Sequence, residues 1–378
     1  MKTKQVMACA LACAAGPAAF AQSSVSIYGI LDTGVEHASA SNGVSNTIVM
    51  QTAHVPSRLG FRGTEDLGGG MHAGFLLEMG IGVDTGSILQ GGRGFGRESY
   101  VSFGSASAGT LRLGRQYSVM QSVAFYDPDH FSTYSPALAM QLSNLEQTSQ
   151  DNVIRYVSPE FGGFSGTLSY AMGEKAAAAP NPGAPQVVGA GTAKSSRGLL
   201  LSYGTKGLAE EKPGLLASLA YQDGGQDLTA GGVAKQRMIA ASALYDFGAW
   251  ELGGVWWQHR GELPNRSTPQ TTLWTVGASW RVLPALRLIA QVGRAQDNGL
   301  AYTTGAAKAR GRDTYMNFGA TYSFSRSVHV YFRVGRVADE NNGFNGRASL
   351  ASTSLREAAP VPVNGSSRGA MAGLRIRF

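Results

Sequence analysis

The sequence predicts an all-β fold, a single transmembrane barrel of sixteen antiparallel strands with short turns on one rim and long loops on the other. Three observations predict it. From Gln22 onward apolar residues recur with a period of two, the strand period, and not the period of about 3.6 that a helix needs. The alternating blocks come in tightly turned pairs whose number sums to an even strand count, as single-chain outer-membrane barrels require. Only 15% of the 378 residues are charged, well below the ~25% of soluble domains, and the 51 glycines are roughly twice the usual share. A run of about 20 apolar residues, the length of a membrane-spanning helix, is missing from the chain, which excludes a helical membrane protein.

The first element is the segment MKTKQVMACALACAAGPAAFAQ. Lys2 and Lys4 precede an apolar stretch that starts near Val6, Gly16-Pro17 breaks it, and Ala19-Phe20-Ala21 before Gln22 forms an A-x-A cleavage site. Residues 1–21 therefore read as a secretory signal peptide and 22–378 as one barrel domain. Both cysteines, Cys9 and Cys13, fall in the signal, so the mature chain is expected to hold no disulfide and to rely on backbone hydrogen bonding and packing. Lipidation at either cysteine would cut inside the apolar region, upstream of the A-x-A site. Loss of Lys2 and Lys4 takes the formal charge from +7 to +5, and with no Lys/Arg run nucleic acid is not an expected partner.

A first strand is read near 24–36. Seven hairpins follow, centred near 54–80, 94–117, 152–172, 197–222, 236–260, 270–296 and 313–338. In the last of them Val328, Val330, Phe332 and Val334 alternate with His329, Tyr331, Arg333 and Gly335. Turn chemistry separates the two arms of each: Asp246 to Gly248, Pro284, Ser325 to Ser327, and Glu160 to Gly163 supply residues suited to tight turns. The terminal strand, near 368–378, closes on AGLRIRF, where Leu374, Ile376 and Phe378 alternate with Gly373, Arg375 and Arg377 up to the last carboxylate. Termini ordinarily fray; this pattern reads as a strand held to its end.

The segments between hairpins, at 37–53, 82–93, 118–151, 173–196, 223–235, 261–269, 297–312 and 339–367, are longer and polar, the asymmetry of outer-membrane barrels. Trp250, Trp280, Tyr322, Phe324 and Phe378 lie near turns or the chain end, where interfacial aromatic girdles form. An exported soluble β-sandwich would also alternate; strand number, strand length, export signal and low charge favour the barrel.

Ser57 to Glu78, SRLGFRGTEDLGGGMHAGFLLE, resembles the general porins of Gram-negative β-proteobacteria, as do SSVSIYGILDTGVE (Ser23 to Glu36), GRESYVSFG (Gly96 to Gly104), GTLRLGRQY (Gly109 to Tyr117), NVIRYVSPEFGGFSGTLSY (Asn152 to Tyr170) and the terminal GLRIRF. The resemblance implies a homotrimer of sixteen-stranded barrels in the outer membrane, passing small hydrophilic solutes and ions, with the third external loop folded into the lumen. It also implies that Phe378 is read by the outer-membrane assembly machinery, although Ile376 stands where relatives often carry His, and that outer-membrane lipid and lipopolysaccharide surround the barrel. A closed barrel must pair its last strand with its first, which accounts for the ordered terminus.

A pore acts through its width and the charge at its narrowest point, so charged residues of inward parity are the candidates. With Leu59 and Phe61 facing lipid, Arg58 and Arg62 face the lumen. Phe75, Leu77 and Met79 outward put Glu78 inside; Leu111 and Leu113 put Arg112 inside; Ile154 and Tyr156 put Arg155 inside. Asp127, Asp129, His130 and Glu146 lie in the loop expected to fold inward, so an arginine wall would face a carboxylate loop and favour small anions weakly. Two arginines are awkward. Arg97 matches a pore-lining position of the resembled family, but it shares parity with Val101 and Phe103, and Arg115 shares parity with Leu113; a bulge or a late strand start would reconcile them. Ser149 replaces a further basic residue of some relatives, which weakens the expected anion preference.

Enzyme chemistry is not expected. The six histidines show no H-E-x-x-H spacing, neither a G-x-S-x-G elbow nor a Walker loop occurs, and Gly68-Gly69-Gly70 sits at a hairpin turn. Neither a cofactor nor a metal is expected.

Overall fold

The computed structural model describes residues 24–51, 53–123, 148–173, 193–204, 213–226, 235–301, 305–341 and 362–378. Among these, sixteen long strands and two short ones form one antiparallel sheet closed on itself. They are β1 (Ser24–Ala40), β2 (Ser45–Val49), β3 (Arg58–Gly68), β4 (Met71–Gly82), β5 (Ser87–Ile88), β6 (Glu98–Ser105), β7 (Gly109–Tyr117), β8 (Ser149–Val157) and β9 (Phe164–Ala171). The second half continues with β10 (Ala193–Tyr203), β11 (Gly214–Gln226), β12 (Lys235–Asp246), β13 (Trp250–Glu262), β14 (Gln270–Leu283), β15 (Leu286–Asp297), β16 (Arg312–Ser323), β17 (Val328–Glu340) and β18 (Ser366–Arg377). The short β2 and β5 pair only with β1 and β4; the other sixteen make the wall.

The seam is where the sequence places it. β18 pairs with β1 from Ile30↔Arg377 to Ala40↔Ser367, and Phe378 exchanges two backbone bonds with Gly29, of 3.0 and 3.1 Å. The ring of Phe378 lies over Gly29, where any Cβ would stand 2.4 Å from its Cζ, so glycine is required there. Closure leaves no unpaired edge in a medium that could not hydrate one.

The expected turn residues make the turns. Gly68, Gly69 and Gly70 all have positive φ at the β3–β4 turn, Gly248 donates its N–H to Asp246 Oδ1 at 2.6 Å, and Ser325 Oγ accepts from the N–H groups of Ser327 and Val328. One connection at this end is longer than expected, residues 204–213 between β10 and β11, of which 205–212 lie outside the described residues. Aromatic pairs ring the same end on the outer wall: Trp250 stacks on Trp280 at 4.8 Å, and Tyr245–Phe247, Phe164–Tyr203 and Tyr322–Phe324 make further contacts.

The segment expected as a loop at 37–53 behaves differently. β1 runs on to Ala40, β2 folds back on it, and the chain then turns into the lumen. Asp32 accepts the N–H of His54 at 2.9 Å and the hydroxyl of Tyr331 at 2.5 Å, while the His54 ring lies between Arg333 Nη2 and Arg375 Nη1. Three strands thus hold an inward excursion that local periodicity does not announce. Inside the other half of the barrel the helical turn α1 (Val119–Val123) packs its buried Val119, Met120 and Val123 against Leu200, Ala220 and Met238. The third long connection therefore enters the lumen at its start; residues 124–147 lie outside the described residues.

Candidate functional site

Strand parity sets the inner wall. On β1, Val25 and Ile27 are more than 60% exposed on the outer face, so Tyr28 next to them and Asp32 beyond face inward. Tyr28 lies opposite Gly60, which turns Arg58 and Arg62 to the lumen, and the Arg62 guanidinium stands 5.3 Å from the centre of the Tyr28 ring. Both arginines occupy the face the alternation assigns them.

Glu78 is the hub of this wall. Its Oε1 accepts Arg97 Nε at 2.6 Å and the Tyr117 hydroxyl at 3.2 Å, and its Oε2 accepts the Tyr28 hydroxyl at 2.9 Å. Arg58 stands in the electrostatic reach of both Glu78 and Arg97. Arg97 reaches Glu78 because β6 begins one residue later, at Glu98; outside the ladder its side chain is free of strand parity and turns inward, over the Tyr117 ring at 5.5 Å. A late strand start thus resolves the parity conflict. Glu98 lies directly opposite Glu78, inward, and interacts with Arg112 and Arg155.

Arg112 on β7 and Arg155 on β8 are also directly opposed across the ladder. Like charges in such positions repel, and three local features offset this. Glu98 stands near both, the Arg112 guanidinium lies 5.2 Å from the Tyr100 ring centre, and Arg155 Nη2 donates to the Tyr117 carbonyl. The wall formed by β3, β4, β6, β7 and β8 thus carries Arg58, Arg62, Arg97, Arg112 and Arg155 against Glu78 and Glu98.

Arg115 is different. Its register partner is Ser99, which gives it the outer-wall parity of Val101 and Leu113, both exposed. Its charge is tied up there: Nη1 meets Asp151 Oδ1 at 2.5 Å, Asp151 also binds Arg93 at 2.8 Å, and Arg115 Nε donates to the Gly96 carbonyl. The register slips between Gly114 and Gln116, and Gly114 (φ +136°) and Asn152 (φ +56°) absorb the slip. The expected bulge exists, but it sets Arg115 in a three-residue ion cluster apart from the arginine wall. Asp127, Asp129, His130 and Glu146 lie outside the described residues. Phe378 stands at the seam, 57% exposed on the outer face.

Sequence reasoning missed Glu98, Tyr28, Tyr100 and Tyr117. Glu98 shares inward parity with Ser102 and was legible once the start of β6 was known. The tyrosines were hidden because aromatic residues in barrels usually signal lipid or its interface; here each touches a guanidinium or the Glu78 carboxylate.

Residues 8–342 match the sequence model of a family described as Gram-negative porin. The chain is 34% identical over 285 residues to outer membrane porin protein 32 of Delftia acidovorans, covering 73% of this chain and 75% of that protein. It is 32% identical to an outer membrane porin protein of Bordetella pertussis over 45% of this chain and 48% of the relative. Among solved structures, an anion-selective porin from Comamonas acidovorans superposes with a TM-score of 0.74 at 24% identity, over 94% of this chain and all of that one. A trimer form of OmpT, an outer membrane protein of Vibrio cholerae, superposes at 0.61 with 14% identity over 94% and 99% of the two chains.

Proposed function

Since this chain belongs to the Gram-negative porin family and is an outer-membrane diffusion channel for small hydrophilic solutes and ions, we propose that its arginine wall is the selectivity element and favours small anions weakly. One observation carries this reading: among the described residues five inward arginines gather on β3, β7, β8 and the entry to β6 at Arg97, against Glu78 and Glu98 on β4 and β6. The excess positive potential attracts anions, while Glu78 and Glu98 temper it and the tyrosine rings hold the guanidinium groups in place. The description of the Comamonas relative as anion-selective agrees with this sign.

The remaining parts of the reading are supported by the same family membership. Asp127 and Asp129, which follow α1 in the chain and lie outside the described residues, are proposed to face the arginine wall across the pore. Phe378 is proposed as the assembly signal, residues 1–21 as the cleaved leader, and the working unit as a homotrimer, the form named for the Vibrio relative. The pore carries out no bond chemistry in this reading, and substrates pass by diffusion.

Reconstitution in planar bilayers under a salt gradient tests it. The reversal potential should have the sign of a weakly anion-selective pore. A unit charge about 6 Å from a passing ion in water-like dielectric is worth about 0.7 kcal/mol, about threefold for an anion and, with the opposite sign, about threefold for a cation, so about tenfold in their permeability ratio before salt screening. Replacing both Arg58 and Arg155 by Ala should therefore move the ratio toward cations by at least about tenfold once salt screens the two charges, and by up to about a hundredfold at low salt. A cation-selective wild-type pore would end the arginine-wall account and leave the channel standing.

A further inference from the structure

The inward excursion between β2 and β3 is pinned to the wall at both ends and in its middle. Thr33 Oγ1 donates to the Met50 carbonyl at 2.9 Å, and Ser57 Oγ donates to the Asp32 carbonyl at 3.0 Å and accepts the Asp32 N–H at 2.8 Å. Between these ends the Asp32 carboxylate accepts the N–H groups of His54 and Val55 and the Tyr331 hydroxyl. Met50, Ala53, His54, Val55 and Ser57 are all buried. Arg58, the first arginine of the proposed selectivity wall, follows Ser57 directly and opens β3. The excursion therefore sets both the free width of the lumen on this side and the position of Arg58.

His54 is the centre of this clamp. Arg333 Nη2 lies 2.8 Å from its Nε2, and Arg375 Nη1 lies 3.2 Å from its Nδ1. A guanidinium only donates, and a neutral imidazole has one lone pair and one N–H. The ring therefore accepts from one arginine and already turns its N–H toward the other. A second ring proton would set two N–H groups against two guanidinium groups, with no acceptor at either contact. Charge points the same way. Facing His54 are Asp32 of β1, Tyr331 and Arg333 of β17, and Arg375 of β18, while Glu36 of β1 joins the cross-strand row of Arg333 through Met371. β2 brings no charged residue, and Arg377 beyond Arg375 is exposed. Among the described residues two buried carboxylates thus meet two buried guanidinium groups, a balance that holds only while His54 is neutral. The other titratable ring nearby is His329, opposite Arg375; its Nδ1 meets Ser323 Oγ on β16 at 2.8 Å, away from the excursion.

We propose that His54 is a proton-operated latch of the pore: neutral, it holds the excursion against the wall, and protonated, it leaves the gap between Arg333 and Arg375 and frees the excursion into the lumen. The pinned state excludes the proton and the released state admits it, so acidification populates the released state. The barrel wall stands behind the excursion, so the freed chain moves toward the lumen and conductance falls. The proposal rests on the reading of the chain as a diffusion channel.

Single-channel conductance in planar bilayers, read at about pH 7.5 and about pH 4.5, tests the latch. The wild type should lose about half its conductance at the acid pH and regain it on return. His54→Gln, whose amide oxygen can accept from Arg333 and does not titrate, should match the wild type at neutral pH and lose less than about a tenth on acidification. Asp32, Glu36, Glu78 and Glu98 are present in both proteins, so the difference between them isolates His54. His329→Gln should keep the full acid response. Tyr331→Phe removes one hydrogen bond of the clamp and no charge, so it should move the midpoint of the response to higher pH; it supplies an independent reading should His54→Gln fail to fold. An identical acid response of wild type and His54→Gln would overturn the latch, as would a wild-type conductance that does not change with pH or an unmoved midpoint in Tyr331→Phe. A protein that forms no channel at either pH would overturn the channel reading itself, and the latch with it, so the two failures are told apart.

Discussion

The arginines inside the barrel and those around its outer rim are set in strands with the same alternation, yet their surroundings are opposite. Arg97 and Arg155 are 6% and 7% exposed, and Arg62, Arg97 and Arg112 each lie over a tyrosine ring. Arg197, Arg237 and Arg260, an outer row that pairing sets level across β10 to β13, are exposed and lack ion pairs among the described residues. Parity decides which side of the wall a side chain occupies; neighbours on that side decide whether its charge is fixed or offered. The inner set is caged by the protein, and rigid placement is what the proposed action on passing ions would need.

The largest expected effect follows from removing a partner on each side. Glu78→Gln leaves Arg97 buried without the carboxylate charge it meets at 2.6 Å, and replaces with an amide NH2 one of the two acceptor oxygens that serve Tyr28 and Tyr117. Loss of one member of a buried pair costs about 3 kcal/mol or more, and it should also strengthen the anion preference because one tempering carboxylate is gone. Asp223→Asn, opposite Arg197 and Arg237 on the outer wall, should cost under about 1 kcal/mol, since its carboxylate accepts only the Tyr221 hydroxyl at 3.3 Å among the described residues and forms no close ion pair. Denaturant midpoints of the two variants decide the matter: equal losses would mean that the inner cage is no tighter than the outer rim.

A somewhat smaller loss is expected from moving an arginine down the outer wall. Leu219, 51% exposed on β11, sits four residues below Asp223 on the same face. Leu219→Arg should cost about 2–4 kcal/mol, the penalty for a guanidinium near the bilayer midplane, whereas the native arginines stay at the interface, where they can snorkel. A neutral Leu219→Arg, judged by the urea midpoint in lipid vesicles, would show that depth does not confine the outer row.

The barrel was readable because its signal is repeated sixteen times. The strand blocks, the turns at Gly68–Gly70, Asp246–Gly248 and Ser325–Ser327, and the seam at Phe378 all follow from alternation and turn chemistry. The inward facing of Arg58, Arg62, Glu78, Arg112 and Arg155 followed from the same parity. What escaped depends on contacts far apart in the chain or on where a strand begins. The excursion at His54 is held by Tyr331, 277 positions away, and its sequence reads as a polar loop. Glu98 and Arg97 needed the first residue of β6, and Arg115 needed the slip beside Gly114. The outer row needed register: each arginine is visible on its own strand, but only the pairing brings Arg197, Arg237 and Arg260 level.

The finest separation of the two sets is electrostatic and needs only salt. The wall between lumen and lipid is about one sheet thick, about 10 Å, and the Debye length is about 10 Å at 0.1 M and about 3 Å at 1 M. In the proposed function the inner arginines line the path of the ions, so they should bias the reversal potential at both salts, with a smaller bias at 1 M. The outer arginines act across the wall, so the Arg197→Ala/Arg237→Ala/Arg260→Ala variant should leave the reversal potential at 1 M unchanged and shift it slightly toward cations at 0.1 M. A shift of equal size at both salts would mean that the outer row acts on the lumen through structure and not through its field, and the division of labour drawn between the two faces would fail.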